Sequence, residues 1–155
     1  AIFPVDGLSI DGSISVLDFE YTTATNAAGN LVGTAINGDN ITPYTPKLAY
    51  AFGIQYDHEM SSGTISGRFD GSYQGAVYTN AENTSWARVD GRFLGNARLS
   101  YTTEDEAWRA SLEVQNVFDK YYFMSVSDTT ANALGVVTGA PGRPRTFAVS
   151  VERRF

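Results

Sequence analysis

The residues of this chain best suited to chemistry are its single histidine and its acidic runs. His58 is flanked by Asp57 and Glu59, side-chain types that bind metals, and residues 104–106 are all acidic, as in some calcium sites. Three adjacent residues in one turn rarely converge on an ion, however. We therefore interpret both runs as solvated turns, the second keeping a hairpin in water, and expect neither a metal nor a cofactor.

Covalent catalysis has few candidate groups. The chain has no cysteine, so thiolate chemistry is excluded, and a catalytic triad would need its one histidine beside a nucleophile. That histidine is predicted in a turn, away from the strand faces on which such sites are built, so we expect no enzyme. The formal net charge of -6 and the scattered arginines argue against nucleic acid as a partner.

Alternating apolar and polar residues predict the elements that would position a binding site. Between Lys47 and Asp57, every second residue is large and apolar, whereas the residues between them are small or polar. The same period of two predicts six long strands after a short N-terminal strand at residues 1–3. The six long strands are residues 8–16, 47–57, 64–78, 93–101, 108–115 and 147–155.

The connections between these strands alternate between short and long. Outer-membrane barrels have this arrangement, with short periplasmic turns, long external loops and aromatic residues near the strand ends. No run of roughly 18 to 20 apolar residues predicts a membrane helix. The pattern therefore favours an all-β, antiparallel, up-and-down segment of a transmembrane barrel. The predicted turns are residues 4–7, 58–63 and 102–106, and the predicted loops are residues 22–46, 79–91 and 119–142.

Two other architectures fit parts of the pattern. A small complete outer-membrane barrel of about eight strands, structural or a narrow pore, would need two more strands, for which residues 31–36 and 134–138 are the candidates. A soluble β-sandwich could bind carbohydrate, with Trp86 and the tyrosines as stacking platforms. It would bury the apolar side of every strand, whereas a membrane barrel exposes that side to lipid.

The end of the chain resembles a known family. Residues 112–122, LEVQNVFDKYY, are similar to the V-x-N-L-F-D-K-x-Y segment of the penultimate strand of TonB-dependent receptors. Residues 142–155, GRPRTFAVSVERRF, resemble their final strand, G-x-P-R-T-x-x-V-x-x-x-x-F. Residues 4–8, 12–21 and 44–48 also resemble this family, so the similarity extends over essentially the whole chain.

The resemblance implies a receptor in the outer membrane of a Gram-negative bacterium. Such a receptor has a barrel of about 22 strands and an N-terminal plug domain. TonB pulls on the plug and uses the proton gradient to import a scarce nutrient such as a ferric siderophore. Six long strands are too few to close a barrel, so we expect residues 1–155 to be its C-terminal segment, with the plug and remaining strands absent from this chain. Partners are then outer-membrane lipid, those missing parts, the TonB complex and a small-molecule substrate.

Aromatic and basic residues in the predicted external loops are the candidates for substrate contact. The alternative for each is packing between loops or a place in the interfacial belt. The candidates are Tyr44, Trp86, Arg88, Tyr121, Tyr122, Phe123 and Arg143.

Two further sets of residues follow from the resemblance. The first marks the family-like motifs, to which we assign a structural role because hydrogen bonds at the external strand end would order the long loop: Asn116, Phe118, Asp119, Lys120, Pro144 and Arg145. The second is the apolar, alternating end of the last strand, which the resemblance implies is read by the barrel-assembly machinery: Phe147, Val149, Val151 and Phe155. Arg153 interrupts that alternation, and we expect its side chain to extend toward lipid headgroups.

Overall fold

The computed structural model describes residues 1–22, 36, 38–130 and 135–154, which form strands and one short 3-10 helix at Ser85–Ala87. No helix in the described part of the chain is long and apolar enough to span a membrane. The strands, in chain order, are β1 (Ile2–Val5), β2 (Leu8–Val16), β3 (Leu48–Met60), β4 (Gly63–Gln74), β5 (Val77–Tyr78), β6 (Arg88–Val89), β7 (Arg92–Thr103), β8 (Trp108–Gln115), β9 (Phe123–Asp128), β10 (Val137–Pro141) and β11 (Thr146–Arg153).

Seven of these strands form one antiparallel sheet in the order β1-β2-β3-β4-β7-β8-β11. The sheet neighbours follow one another along the chain, so the wall runs up and down. The prediction of six long strands after a short N-terminal one is therefore confirmed. The strand predicted at residues 64–78 is shorter, however, because β4 ends at Gln74 and Val77–Tyr78 form β5 in a separate sheet. β1 reaches Val5 instead of stopping at residue 3, because the turn needs only Asp6 and Gly7, and Gly7 supplies a φ of 77°.

Alternation sorts the side chains of this sheet onto two different faces. Cross-strand pairs such as Ile54 with Phe69 and Leu99 with Leu112 bring large apolar groups together on one side, here called the apolar face. The residues between them lie on the opposite side, here called the polar face. Register thus follows the pattern of the sequence, since a slip of one residue would exchange the two faces.

The apolar face is open. Many of its large side chains are exposed, and Val149 near the middle of β11 keeps 76% of its surface accessible. A soluble sandwich would cover this face with a second sheet. Nothing in the described residues covers it, so the sandwich alternative is wrong for this fold. An exposed apolar face is the arrangement of a membrane barrel, where hydrocarbon takes the place of a second sheet.

Four phenylalanine rings cover a pair of glycines in the middle of the apolar face. Gly71 on β4 and Gly95 on β7 lie directly opposite each other. A Cβ at Gly71 would lie 2.6 Å from the ring of Phe52, and one at Gly95 would lie 2.6 Å from the ring of Phe118. The glycines therefore make room for the rings, whose centroids are 5.8 to 6.4 Å apart in the contacting pairs. We call this group the glycine–phenylalanine cluster: Gly71, Gly95, Phe52, Phe69, Phe93 and Phe118.

Charged residues on the polar face are joined across strands. Arg68 on β4 contacts Asp70 on its own strand at 2.7 Å and reaches across β3 to Asp11 on β2 at 3.2 Å. Gly53 allows this crossing, because a Cβ there would lie 2.3 Å from the Arg68 Nη2 atom. The polar face therefore holds charges in pairs, as suits a surface that contacts water or a polar partner.

The prediction that residues 58–63 form a turn is wrong. β3 continues to Met60 and β4 begins at Gly63, so His58 lies in a strand opposite Ile65 and stacks on Tyr56 with ring centroids 6.4 Å apart. Backbone hydrogen bonds between strands do not depend on side-chain polarity, so polar residues can continue the hairpin. The turn then needs only the two residues between Met60 and Gly63. His58 consequently lies on the apolar face and not in a solvated turn.

The acidic turn is shorter than predicted, beginning two residues later and ending one residue later than the predicted range of 102–106. β7 ends at Thr103 and β8 begins at Trp108, so residues 104–107 make the turn. The Thr103 hydroxyl donates to Asp105 at 2.6 Å and the Ala107 amide donates at 3.0 Å. These bonds, the hydroxyl first, hold the pKa of Asp105 below its ordinary value. The carboxylate thus closes the turn and needs no calcium to explain it.

Two of the predicted loops contain strands. Residues 79–91 include the 3-10 helix and β6, which pairs with β5, and residues 119–142 contain the hairpin of β9 and β10. Both pairs form separate two-stranded sheets and do not join the wall. The proposed eight-stranded closed barrel is therefore not formed by the described residues. Of its two extra strand candidates, residues 31–35 and 134 lie outside the described part of the chain, and β10 begins at Val137.

Candidate functional site

Loops at one end of the sheet pack against each other. Val77, Ala87 and Val89 are at most 3% exposed and are the fully buried apolar residues of the described chain. All three belong to the β5–β6 excursion, which contacts β9 through the 3-10 helix and β6. The most compact packing is therefore at the loop end, as expected where an exposed wall supports an ordered external rim.

Asn83 joins two loops through its side-chain amide. Its Oδ1 accepts from the Ile41 amide at 2.7 Å, and its Nδ2 donates to the Ile41 carbonyl at 2.8 Å. Its backbone has a φ of 52°, a left-handed conformation that asparagine tolerates better than most residues. Nearby, Asn40 donates to the Ala81 carbonyl at 2.9 Å. The segment before β3 is thus held against the β5–β6 excursion.

A second polar contact joins the β5–β6 excursion to the β9–β10 hairpin. The Thr84 hydroxyl donates to Asp128 Oδ2 at 2.6 Å, and Thr130 donates to Oδ1 through its hydroxyl at 2.6 Å and its amide at 3.0 Å. The Thr130 hydroxyl, followed by that of Thr84, holds the pKa of Asp128 below its ordinary value. Three loops therefore form one connected rim.

A cleft opens between the β5–β6 excursion and the β9–β10 hairpin. Its volume is about 510 Å³. Aromatic and cationic side chains line it, and we call it the loop cleft. Its principal lining side chains are Trp86, Arg88, Arg92, Lys120, Tyr121, Tyr122 and Phe123.

The charges in the loop cleft are arranged around aromatic rings. The guanidinium of Arg92 lies 4.8 Å from the centroid of the Tyr122 ring, and Tyr121 meets Phe123 edge to face at 5.5 Å. Arg88 forms an ion pair with Asp90. Three cations and one carboxylate therefore line the cleft, which gives it a positive balance. Such a surface suits an anionic ligand that also presents flat rings.

Five of the seven residues predicted from the sequence for substrate contact line this one cleft: Trp86, Arg88, Tyr121, Tyr122 and Phe123. The other two lie elsewhere. Tyr44 lines a neighbouring cavity of about 560 Å³, with its hydroxyl 3.1 Å from Ser125 Oγ. Arg143 lines a third cavity beside Gln115 and Phe147, next to β11.

Arg92 lines the loop cleft although no role was predicted for it from the sequence, and Lys120, for which a structural role was predicted, lines the cleft as well. Arg92 lines both the loop cleft and the neighbouring cavity, so it connects the external rim with the polar face. The predicted loop ends at residue 91, and Arg92 is the first residue of β7. The signal available in the sequence was its position, because a basic residue at a strand end beside a long loop is placed to contact what the loop binds.

The family-like motif closes the base of the long loop between β8 and β11. Asn116 is 5% exposed; its Nδ2 donates to the carbonyls of Lys120 at 2.9 Å and Arg143 at 3.2 Å, and its Oδ1 accepts from the Lys120 amide at 2.9 Å. Asp119 accepts from the Arg145 amide at 3.3 Å and lies 3.5 Å from its guanidinium. Both ends of the loop are therefore tied together. Pro144 lies between those two ties, and Phe118 belongs to the glycine–phenylalanine cluster.

The end of the last strand is placed as the alternation predicts. Phe147, Val149 and Val151 are exposed on the apolar face of β11, whereas Phe155 lies outside the described residues. Recognition of this edge by assembly machinery stays a prediction. Within the described ranges, no group of three acidic, histidine or cysteine side chains is placed to hold a metal ion.

Residues 6–117 match the family described as TonB dependent receptor-like, beta-barrel. The chain therefore belongs to the TonB-dependent receptor family, through its β-barrel domain, and the family inferred from the resemblance is confirmed. Members of this family are receptors and transporters of the outer membrane of Gram-negative bacteria.

Solved structures of siderophore receptors have the same fold. BauA, the ferric preacinetobactin receptor of Acinetobacter baumannii, is 25% identical with a TM-score of 0.70, and the match covers 96% of this chain and 20% of that one. FyuA, the ferric yersiniabactin uptake receptor of Yersinia pestis, is 17% identical with a TM-score of 0.76, covering 96% and 21%. Fiu, the ferric-catecholate import receptor of E. coli K12, is 21% identical with a TM-score of 0.69, covering 98% and 19%. The chain thus spans about a fifth of these structures. No curated protein sequence matches it.

Proposed function

We propose that this chain forms part of the barrel wall of an outer-membrane receptor that imports a ferric siderophore, with transport driven through TonB by the proton gradient. Family membership and the open apolar face support its place in the wall. The loop cleft is the observation that supports a ferric siderophore as the substrate, because it combines a positive balance of charge with exposed aromatic rings. In this role the chain binds and positions a ligand and performs no covalent chemistry.

The chemistry of the loop cleft suits an iron chelate. Ferric catecholate complexes, for example, carry negative charge together with aromatic rings. Arg88, Arg92 and Lys120 would neutralise that charge, and Trp86 and Tyr121 would pack on the rings. A volume of about 510 Å³ also lies within the range of small-molecule sites, roughly 300 to 1,000 Å³.

We further propose that the sheet is the C-terminal segment of such a barrel. The matched structures are about five times as long as this chain, and even a small closed barrel needs about eight strands. In the complete receptor, β1 and β11 would pair with further wall strands and the polar face would look toward a plug domain that engages TonB. Outer-membrane lipid would cover the apolar face, and the β11 edge would be read by the barrel-assembly machinery.

Tryptophan fluorescence tests ligand binding by the loop cleft. The chain contains two tryptophans, so Trp108→Phe leaves Trp86 as the reporter within the cleft. In detergent micelles, a ferric catecholate should quench Trp86 saturably. Arg92→Gln should weaken this binding about tenfold, since a charge-assisted contact contributes on the order of 1.5 kcal/mol.

A matched control separates the cleft from general charge effects. Arg109 lies on the polar face of β8, opposite Thr102 at the turn end of the sheet. Arg109→Gln removes the same charge and should leave the affinity unchanged. Two results would contradict the proposed ligand site. One is linear, unsaturable quenching of the Trp108→Phe chain that keeps both arginines, and the other is an equal loss of affinity in the Arg92→Gln and Arg109→Gln variants.

A further inference from the structure

Two arginines lie on the apolar face of β11. Cross-strand register puts Phe147, Val149 and Val151 on this face, and the same alternation includes Arg153 at one end of the strand and Arg145 just before the other. Every residue of β11 is exposed. A strand edge that is otherwise apolar is therefore bounded by a cation at each end.

Each of these arginines lies over an aromatic ring. The Arg153 guanidinium is 5.1 Å from the centroid of the Trp108 ring, and the Arg145 guanidinium is 5.9 Å from that of Phe147. Trp108 is the register partner of Arg153 and is 46% exposed. Tryptophan gives the stronger cation–π contact of the two, so the pair at the turn end has the stronger ring contact.

The spacing of the two arginines matches a bilayer. Residues 145–153 make a segment of nine, about 27 Å along an extended strand, and a tilted strand needs roughly 9 to 11 residues to cross a membrane. The two guanidiniums therefore lie near opposite interfaces, with the three apolar residues of β11 between them. Arg145 is also bound by Asp119 at the base of the loop, whereas Arg153 lies at the turn end, where the headgroups of the periplasmic leaflet would be.

Other groups at the turn end support an interfacial position. Tyr101 lies on the same face, with its hydroxyl donating to the Ser62 carbonyl at 2.6 Å, and Tyr56 stacks on His58 nearby. Rings with polar tips favour the boundary between hydrocarbon and headgroups. A cation at this level meets lipid phosphates.

We propose that Arg153 and Trp108 form a binding site for the phosphate of an anionic phospholipid headgroup in the periplasmic leaflet. The proposal rests on the proposed place of the sheet in the membrane. Stacking on Trp108 uses the flat side of the guanidinium, whereas its hydrogen bonds are made in the plane, so both contacts can form together. The indole ring of Trp108 would pack beside the glycerol backbone of the same lipid.

Headgroup-specific quenching tests the site in vesicles of phosphatidylcholine with a minority of phosphatidylglycerol. In a Trp86→Phe background, Trp108 is the single tryptophan. Spin-labelled phosphatidylglycerol headgroups should quench Trp108 more than equally labelled phosphatidylcholine, with an enrichment of up to about fivefold around one arginine at low salt. High salt should reduce this excess in the Trp86→Phe chain that keeps Arg153.

The neighbouring arginine provides the control. Arg154 contacts Glu152 at 3.5 Å and Glu106 at 3.9 Å on the other face. Arg153→Gln should abolish the preference for phosphatidylglycerol, and Arg154→Gln should retain it. Equal quenching by both lipids in the Trp86→Phe chain that keeps both arginines would overturn the lipid site but not the membrane position of the sheet. An equal loss of the preference for phosphatidylglycerol in the two variants would have the same meaning. If no headgroup label quenched Trp108, the membrane position of the sheet would fail as well.

Discussion

Single polar side chains organise the external rim. Asn83 accepts and donates to the backbone of Ile41, and Asp128 accepts from Thr84 and Thr130. Each joins segments far apart in the chain, so the order of the loops depends on a few polar contacts. Loop position is therefore sensitive to individual substitutions that leave the wall intact.

Replacing Asn83 should release one loop. Asn83→Ala removes both bonds to Ile41 and places an alanine at a positive φ. The Ile41 amide should then exchange roughly ten times faster with solvent, the factor that corresponds to about 1.4 kcal/mol. Hydrogen exchange measured by mass spectrometry or NMR would check this.

Asn80→Ala is the matched control, because the Asn80 side chain bonds Thr84 and not Ile41. It should leave the exchange of the Ile41 amide unchanged. The same acceleration in both variants would mean that Asn83 is not the specific link.

Acid should separate the β5–β6 excursion from the β9–β10 hairpin. Because the pKa of Asp128 is lowered in the folded state, its stabilising contribution is complete above the unfolded pKa, near pH 4, and is lost as the pH falls through the lowered folded value. Trp86, two residues after Thr84, should report this step by fluorescence in a Trp108→Phe background. Asp128→Asn should flatten the titration, and an unchanged titration would exclude Asp128 as the titrating group.

Some residues of the loop cleft could be predicted from the sequence, but their arrangement could not. Trp86, Arg88 and Tyr121 could be chosen because aromatic and basic residues stand out in a loop. Their convergence could not be predicted, since it depends on the Thr84–Asp128 contact between residues 44 positions apart. Arg92 was missed because it directly follows the predicted loop, which ends at residue 91, and only loop residues were chosen as candidates.

At the scale of elements, β4 and β7 are held together on the apolar face by the glycine–phenylalanine cluster. Glycine weakens a strand by itself, because it loses more backbone entropy and has no side chain to pack. Here Gly71 and Gly95 are compensated by rings that lie over them. The cluster therefore explains why glycine occupies these two positions on the apolar face.

A pair of glycine substitutions on β4 should distinguish packing from propensity. Gly71→Ala places a Cβ 2.6 Å from Phe52 and should destabilise the sheet by about 1 to 3 kcal/mol, the usual cost of overpacking. Gly67→Ala, on the same strand and face, meets nothing within 4 Å and should be neutral or stabilising. Urea unfolding from lipid vesicles would measure both, and equal effects would refute the packing explanation.

Strands were predictable where one face is apolar, and less so elsewhere. The alternation of β3 between Leu48 and Tyr56 is clear, but its continuation through Asp57, His58 and Glu59 depends on backbone pairing that composition does not reveal. β9 and β10 have no apolar periodicity because they pair only with each other above the wall. The hydrophobic pattern therefore predicts the strands that have one apolar face and misses the strands that do not.

For the molecule as a whole, the two faces of the sheet suit different surroundings, the apolar face a hydrocarbon and the polar face water. A soluble protein is indifferent to most exposed positions, whereas a membrane protein is not, because an exposed apolar side chain contacts hydrocarbon. Val149 and Ala148 are adjacent and both exposed, on opposite faces of β11. They offer a direct comparison of the two surroundings.

Arginine substitutions at these two positions should differ in cost. Val149→Arg puts a charge near the middle of the apolar face and should destabilise the sheet in vesicles by about 2 to 4 kcal/mol. Ala148→Arg on the polar face should change stability by less than about 0.5 kcal/mol. Urea titration in the same vesicles provides the measurement; two equal, small changes would show that the apolar face does not contact lipid.

The ties at the base of the β8–β11 loop also bear on how such receptors diverge. Asn116 and Asp119 hold both ends of the loop at the wall, so the residues between them can be replaced without altering the pairing of β8 with β11. In the proposed receptor, substitutions in the β9–β10 hairpin would change the ligand preference while the strands that form the wall stay the same. Such a loop would be exchangeable between receptors that share one wall.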